Sequence, residues 1–134
     1  MAEGVGRGVQ FGPRRLVQAA RWVTIGVAAL SALYLGCRFE FLSLPEEGCS
    51  PVSRYGAGCR LLVDRWVFDW EAGDCAFAQG VDGVVHLVIL SGQNAAGCWW
   101  TASDVSECPG VAGEELGWLP EDRLVGRVVM GVGP

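Results

Sequence analysis

His86 is the only histidine in this chain, and lysine is absent. Any imidazole chemistry must therefore pass through it. Every mechanism that needs a lysine base, a Schiff-base amine or a phosphate-loop lysine is excluded. A serine hydroxyl is a weak nucleophile until a base takes its proton. A Ser–His pair, with an acid to orient the imidazole, is then the simplest catalytic arrangement these residues allow. Ser43, Ser50, Ser53, Ser91, Ser103 and Ser106 are the serines beyond the apolar N-terminal segment, and composition does not choose among them. The six cysteines (Cys37, Cys49, Cys59, Cys75, Cys98 and Cys108) form no CxxC pair, and none stands with His86 at zinc-ligand spacing. Cys98 and Cys108 could bridge a loop in an oxidising compartment. The other reading of the cysteines is as small buried apolar residues.

The elements that would position such a pair are set by an uneven distribution of charge. The chain has 134 residues and a formal net charge of -5, 51% of its residues are hydrophobic and 19% charged. That excludes a disordered chain, and the acidic balance argues against a nucleic-acid partner. Residues 1–21 carry a net +3 and residues 38–134 a net -8. Between them Trp22–Cys37 holds 16 residues without charge, about 24 Å as a helix and a little short of a bilayer core of about 30 Å. Arg21 and Arg38 can snorkel, and Phe39, Phe41 and Leu42 can extend the apolar stretch.

The expected organisation is a basic cytoplasmic N-terminus over 1–21, a transmembrane anchor and its exit over 22–42, and an exported domain over 43–134. The arginines before the span keep the N-terminus cytoplasmic, with a bacterial plasma membrane as the expected site. A cleaved signal peptide is a second reading. A lipoprotein signal is a third, because Leu35-Gly36-Cys37 is similar to a lipobox, although Tyr34 stands where that motif has Leu.

The exported part reads as mainly β. Twenty Gly and six Pro favour turns and short strands over a helical bundle. Residues 39–57 read as a loop-like lead-in. Strand-forming runs follow at Arg60–Phe68, Cys75–Gln79, Val84–Leu90, Gly97–Thr101 and Leu124–Val132, with turns at Glu71–Asp74 and Gly80–Gly83. Val84–Leu90 is apolar on both faces and is expected to be central. Residues 102–117 read as irregular and acidic. Five tryptophans (Trp66, Trp70, Trp99, Trp100 and Trp118) serve packing or dip into a bilayer surface. Glu114, Glu115, Glu121 and Asp122 read as a solvated face.

Four ordered stretches carry a resemblance. Gly48-Cys-Ser-Pro-Val-Ser-Arg-Tyr-Gly-Ala-Gly-Cys-Arg-Leu-Leu-Val63 is followed by Asp64-Arg65. Ala72-Gly-Asp-Cys-Ala-Phe77 comes next, then Val84-Val-His-Leu-Val-Ile89, and Gly117-Trp-Leu-Pro-Glu-Asp-Arg-Leu-Val-Gly-Arg-Val128 closes the series. Together they resemble the motifs of the signal peptidase I family over most of residues 48–130. The third stretch is similar to the Val-His-Arg-Val-Ile of the endoplasmic-reticulum and archaeal enzymes, which use His as base. The resemblance places the nucleophile at Ser50 and the base at His86, 36 residues apart. Ser103-Asp104 stands for the family's Gly-Asp, which makes Asp104 the orienting acid. Ser53, with the Ser50 backbone N–H, falls where the oxyanion would be steadied.

The resemblance implies a small signal-peptidase-like β domain behind one N-terminal transmembrane helix. It also implies a membrane-anchored serine endopeptidase acting on exported precursor polypeptides without metal or cofactor. The lipid bilayer and the precursor would be its partners. Pro51 stands where the family has Met, Cys59 where it has Asp, and Leu87 where it has Arg. These departures keep open a catalytically silent relative that binds peptide or partner subunits. An unrelated anchored β domain is the third alternative.

Overall fold

The computed structural model describes residues 13–47, 50–105 and 116–133. The chain divides into two compact units, Met1–Gly36 and Cys37–Pro134.

The first unit contributes most of one helix, α1 (Pro13–Arg38). Its 26 residues rise about 39 Å, enough to cross a hydrocarbon core of about 30 Å. Its apolar side chains are not gathered on one stripe. Leu16, Trp22, Val23, Val27, Leu30 and Leu33 all stand exposed around it. The mean hydropathy of the span is 1.5 and none of it is buried. By length and composition α1 can therefore cross a membrane. It begins nine residues earlier than the uncharged run, at Pro13, whose fixed φ suits a first helical turn.

The second unit is a seven-stranded sheet. Its strands are β1 (Phe39–Ser43), β2 (Arg60–Asp64), β3 (Cys75–Gln79), β4 (Val85–Gln93), β5 (Trp99–Ala102), β6 (Trp118–Leu119) and β7 (Leu124–Val132). Their spatial order is β1-β2-β7-β3-β4-β5-β6, with every neighbouring pair antiparallel. The domain is mainly β, as the sequence led us to expect. The last strand in sequence lies inside the sheet, between β2 and β3.

Alternation along the strands divides the core in two. Val52, Leu61, Val63, Phe77, Leu87 and Val128 form one cluster, and Ala76, Ala78, Val88, Leu90, Trp99 and Leu119 the other. Strand β3 supplies both, which explains why four of its five residues are buried. Three register shifts, at Leu62/Val63, Phe77/Ala78 and Leu90/Gly92, bend the sheet by adding local twist.

Two hairpin turns are built alike. In Gln79–Gly83 and Gln93–Gly97 the closing glycine has positive φ (82° and 80°), and its N–H returns to the carbonyl of Gly80 or Asn94. In each, the Gln Nε2 donates to that glycine's carbonyl, at 3.1 and 3.2 Å.

Where β2 passes β7 the backbones meet closely. A Cβ on Gly126 would lie 2.5 Å from Val63 Cγ1 and 2.8 Å from the Asp64 carbonyl oxygen. A carbonyl fixed in a ladder cannot yield as a side-chain tip can. Gly126→Ala is therefore expected to destabilise the domain by about 1–3 kcal/mol, the usual range for overpacking. Chemical denaturation followed by tryptophan emission would check it.

Three differences from the sequence reading have physical causes. Phe39–Ser43 is a strand, neither anchor exit nor loop, because it pairs along its whole length with β2. Strand β2 stops at Asp64 and does not run to Phe68, because the Asp64 carboxylate accepts the Trp66 N–H at 3.0 Å and turns the chain. Trp118–Leu119 pairs with β5 as a short strand that its two residues gave no pattern to announce.

Cys37, Cys59, Cys75 and Cys98 carry free thiols. Cys108, the suggested partner of Cys98, lies outside the described residues, as do Cys49, Ser106, Glu114 and Glu115. Of the tryptophans, Trp99 is core. Trp100 and Trp118 pack ring to ring at 5.2 Å.

Candidate active site

A groove of about 520 Å³ opens in the β unit. Strand β1 gives it Glu40 and Leu42, the segment after β1 gives Leu44, Pro45 and Glu47, and the first turn of the next segment gives Ser50 and Pro51. Phe77 of β3, Val85, His86 and Leu87 of β4, and Val125 of β7 also line it. Ser50 and His86, picked out by sequence, thus border the same groove. The walls are mainly apolar, with Glu40 and Glu47 as acidic points. Sequence reading missed this lining, since it draws on β1, β3, β4 and β7 at once.

Ser50 is half-buried and sits in a tight local turn. Its Oγ donates to the Val52 carbonyl at 3.0 Å and accepts the Val52 N–H at 3.4 Å. Such a turn follows from a serine that bonds its own backbone two residues on, beside a proline that fixes φ. Val52 is 2% exposed, so the turn is pinned by its neighbour's burial in the core.

His86 is half-buried near the start of β4, directly across from Ala78 of β3. Strand alternation gives it the face of Ala78 and Val88, while Leu87 turns to the face of Val52. Among the described residues no hydrogen bond to its imidazole is found.

Asp104 and Ser53 are joined to one another. The Asp104 carboxylate accepts the Ser53 N–H at 2.7 Å and the Ser53 hydroxyl at 2.5 Å. Ser103 Oγ donates to the Pro51 carbonyl at 2.5 Å. The end of β5 therefore clamps the serine segment at two points, 51 and 52 residues away in sequence. In this arrangement Asp104 holds the loop that carries Ser50, and both of its oxygens are engaged by Ser53. The sequence signal for this was the Ser103-Asp104 pair, but its partner was not legible.

The Ser53 hydroxyl, with the Ser53 N–H behind it, keeps the Asp104 carboxyl below its ordinary range. A depressed carboxyl contributes its bonding above the unfolded pKa of about 3.9 and loses it as pH falls through the lower folded value. The Asp104–Ser53 half of the clamp is therefore complete at neutral pH and weakens in acid. Asp104→Ala should remove that half at neutral pH and leave the Ser103–Pro51 bond. The Tyr55 amide, which bonds the Val52 carbonyl at 3.0 Å, is then expected to exchange with solvent about tenfold faster or more while global stability changes little. Hydrogen exchange by mass spectrometry or NMR would measure it.

Cys75 does not compete as a nucleophile. It is buried, and burial pushes its thiol up to about 12, leaving it protonated. Among the described residues no group of three or more His, Cys, Asp and Glu is placed to hold a metal ion. No family model, curated protein or solved structure matches this chain.

Proposed function

We propose that this chain is a membrane-anchored serine endopeptidase of signal-peptidase type, acting on exported precursor polypeptides, with Ser50 as nucleophile and His86 as base. The observation that carries the proposal is that Ser50 and the chain's only histidine, 36 residues apart, border one apolar groove. An extended polypeptide with small side chains suits walls made of Leu42, Phe77 and Leu87. In the reaction His86 takes the Ser50 proton, and Ser50 Oγ attacks the peptide carbonyl. The Ser50 backbone N–H steadies the oxyanion, and the imidazolium returns its proton to the leaving amine. For this the Ser50 hydroxyl gives up its bond to the Val52 carbonyl, and the start of β4 turns the imidazole from the Ala78–Val88 face toward the groove. Asp104 contributes by holding the Ser50 segment through Ser53. Orientation follows the arginines in the N-terminal part of α1 (Arg14, Arg15 and Arg21), which keep the N-terminus cytoplasmic and export the β unit across a bacterial plasma membrane.

A second reading is favoured by the Ser50–Val52 turn, the Asp104–Ser53 pair and the strand face of His86. In it the groove binds peptide, or a partner subunit's segment, without cleaving it. One experiment separates the two. The full chain, reconstituted in vesicles, is treated with a serine-reactive fluorophosphonate. Covalent labelling at Ser50 supports the peptidase, and peptide binding without labelling supports the silent relative.

A further inference from the structure

We infer that the loop Arg65–Asp69 is a second membrane contact, dipping into the lipid headgroup region beside the point where the chain leaves the anchor. The proposal goes beyond the peptidase reading and does not depend on it.

Phe68 is 92% exposed at the tip of this loop, and Trp66 is 44% exposed beside it. Two exposed aromatic side chains on one short loop are the kind of surface that a lipid interface favours. The loop is anchored at the right place. Arg38 is the last residue of α1 and ends the apolar run. Its carbonyl accepts the Arg65 N–H at 2.9 Å. Its guanidinium grips Asp64 through Nε at 3.0 and 3.1 Å and through Nη2 at 2.7 Å. Phe68 is three residues on from Arg65, so it lies no more than about 11 Å of chain from that junction. The headgroup layer on each side of a bilayer is roughly 5–8 Å deep.

Charge points the same way. Residues 38–134 carry a net -8, so most of this unit would be repelled by an anionic leaflet. At this loop each acid has an arginine. Asp64 is held by Arg38, and Asp69 by Arg127 Nη2 at 2.7 Å. Arg65 lies 3.4 Å from Glu40 and is half exposed, where it can also meet lipid phosphate. The loop is held at its far end as well, because Arg127 Nη2 donates to the Asp69 carbonyl at 2.6 Å and its guanidinium covers Trp70 at 5.6 Å. It therefore presents Phe68 without ordering on contact.

Phe68→Trp in the full chain adds one emitter at an exposed apolar position without threatening the fold. The protein is reconstituted in phosphatidylcholine–phosphatidylglycerol vesicles, with or without phospholipid brominated near the headgroup end of its acyl chains. The added emission is the variant's spectrum minus that of the unsubstituted protein. At a lipid interface it should fall about twofold or more with brominated lipid and resist aqueous acrylamide. Emission that ignores brominated lipid and is quenched by acrylamide would overturn the proposal. Emission shielded from both would overturn it too, showing that protein covers Phe68.

Discussion

Ser50→Ala should abolish fluorophosphonate labelling and lower precursor cleavage by about 10⁴-fold or more, the scale on which a serine hydrolase loses turnover when its nucleophile is removed. The substitution also removes the hydroxyl that closes the Ser50–Val52 turn, which costs about 1 kcal/mol. A loss that small shifts a denaturation midpoint without unfolding the domain, so activity and stability separate. His86→Ala gives an independent arm, because among the described residues no hydrogen bond to the imidazole would be lost. It should depress cleavage on a similar scale, and the double variant should fall little further than either single one, since the two residues act as one unit. Asp104→Ala should behave differently. It loosens the serine segment without removing a reacting group, so its effect on turnover should be smaller and should accompany the faster Tyr55 amide exchange. Cleavage unchanged in Ser50→Ala would end the peptidase reading and leave the groove as a binding site.

The parts of this fold legible in sequence were those whose boundaries are local. Cys75–Gln79 and Leu124–Val132 match their strands residue for residue, because Gly73 and the Gly80–Gly83 turn punctuate the first and Pro120 precedes the second. The helix was legible as an uncharged run, although its start was not, since Arg14, Arg15 and Arg21 interrupt the apolar pattern without interrupting the helix. Strand β1 was not legible. Its residues, Phe39-Glu-Phe-Leu-Ser43, qualify equally as the tail of an anchor, and only pairing with β2 decides. The site divided in the same way. Ser50 and His86 could be chosen because one residue type was unique and the other sat in a spaced motif. Which carboxylate meets which serine is settled by the return of β5 to the loop after β1. Asp104 on Ser53 therefore had no local signature. The Arg38–Asp64 pair had none either, since an arginine at a helix end reads as a snorkelling residue until the β2 register sets Asp64 against Phe39.

That pair should be the largest single electrostatic contribution to the β unit, and Asp64→Ala is expected to destabilise the unit by about 2–3 kcal/mol. Asp64 is 9% exposed. It accepts both Nε and Nη2 of Arg38 and, through Oδ1, the Trp66 N–H. Truncation removes the carboxylate that these three donors share. The figure stays below the upper range for buried ion pairs because the Arg38 side chain is 33% exposed and water can take over part of its solvation. The Arg38 hydrogen bonds, aided by the Trp66 N–H, hold the Asp64 carboxyl below its ordinary range against the opposing effect of burial. A depressed carboxyl stabilises above the unfolded pKa of about 3.9 and ceases to as pH falls through the folded value. The acid limb of the stability curve should therefore be shallower in Asp64→Asn than in the unsubstituted protein. Asn keeps the Trp66 acceptor but loses the charge, so its loss at neutral pH should fall between zero and that of Asp64→Ala. Denaturant titration of the full chain in detergent at several pH values measures all three proteins. A loss under about 0.5 kcal/mol in Asp64→Ala would place the pair with ordinary surface bridges. A full loss would have a second consequence. Arg38 leads directly into β1, and β1 supplies Glu40 and Leu42 to the groove, so the same substitution should loosen one wall of the candidate site.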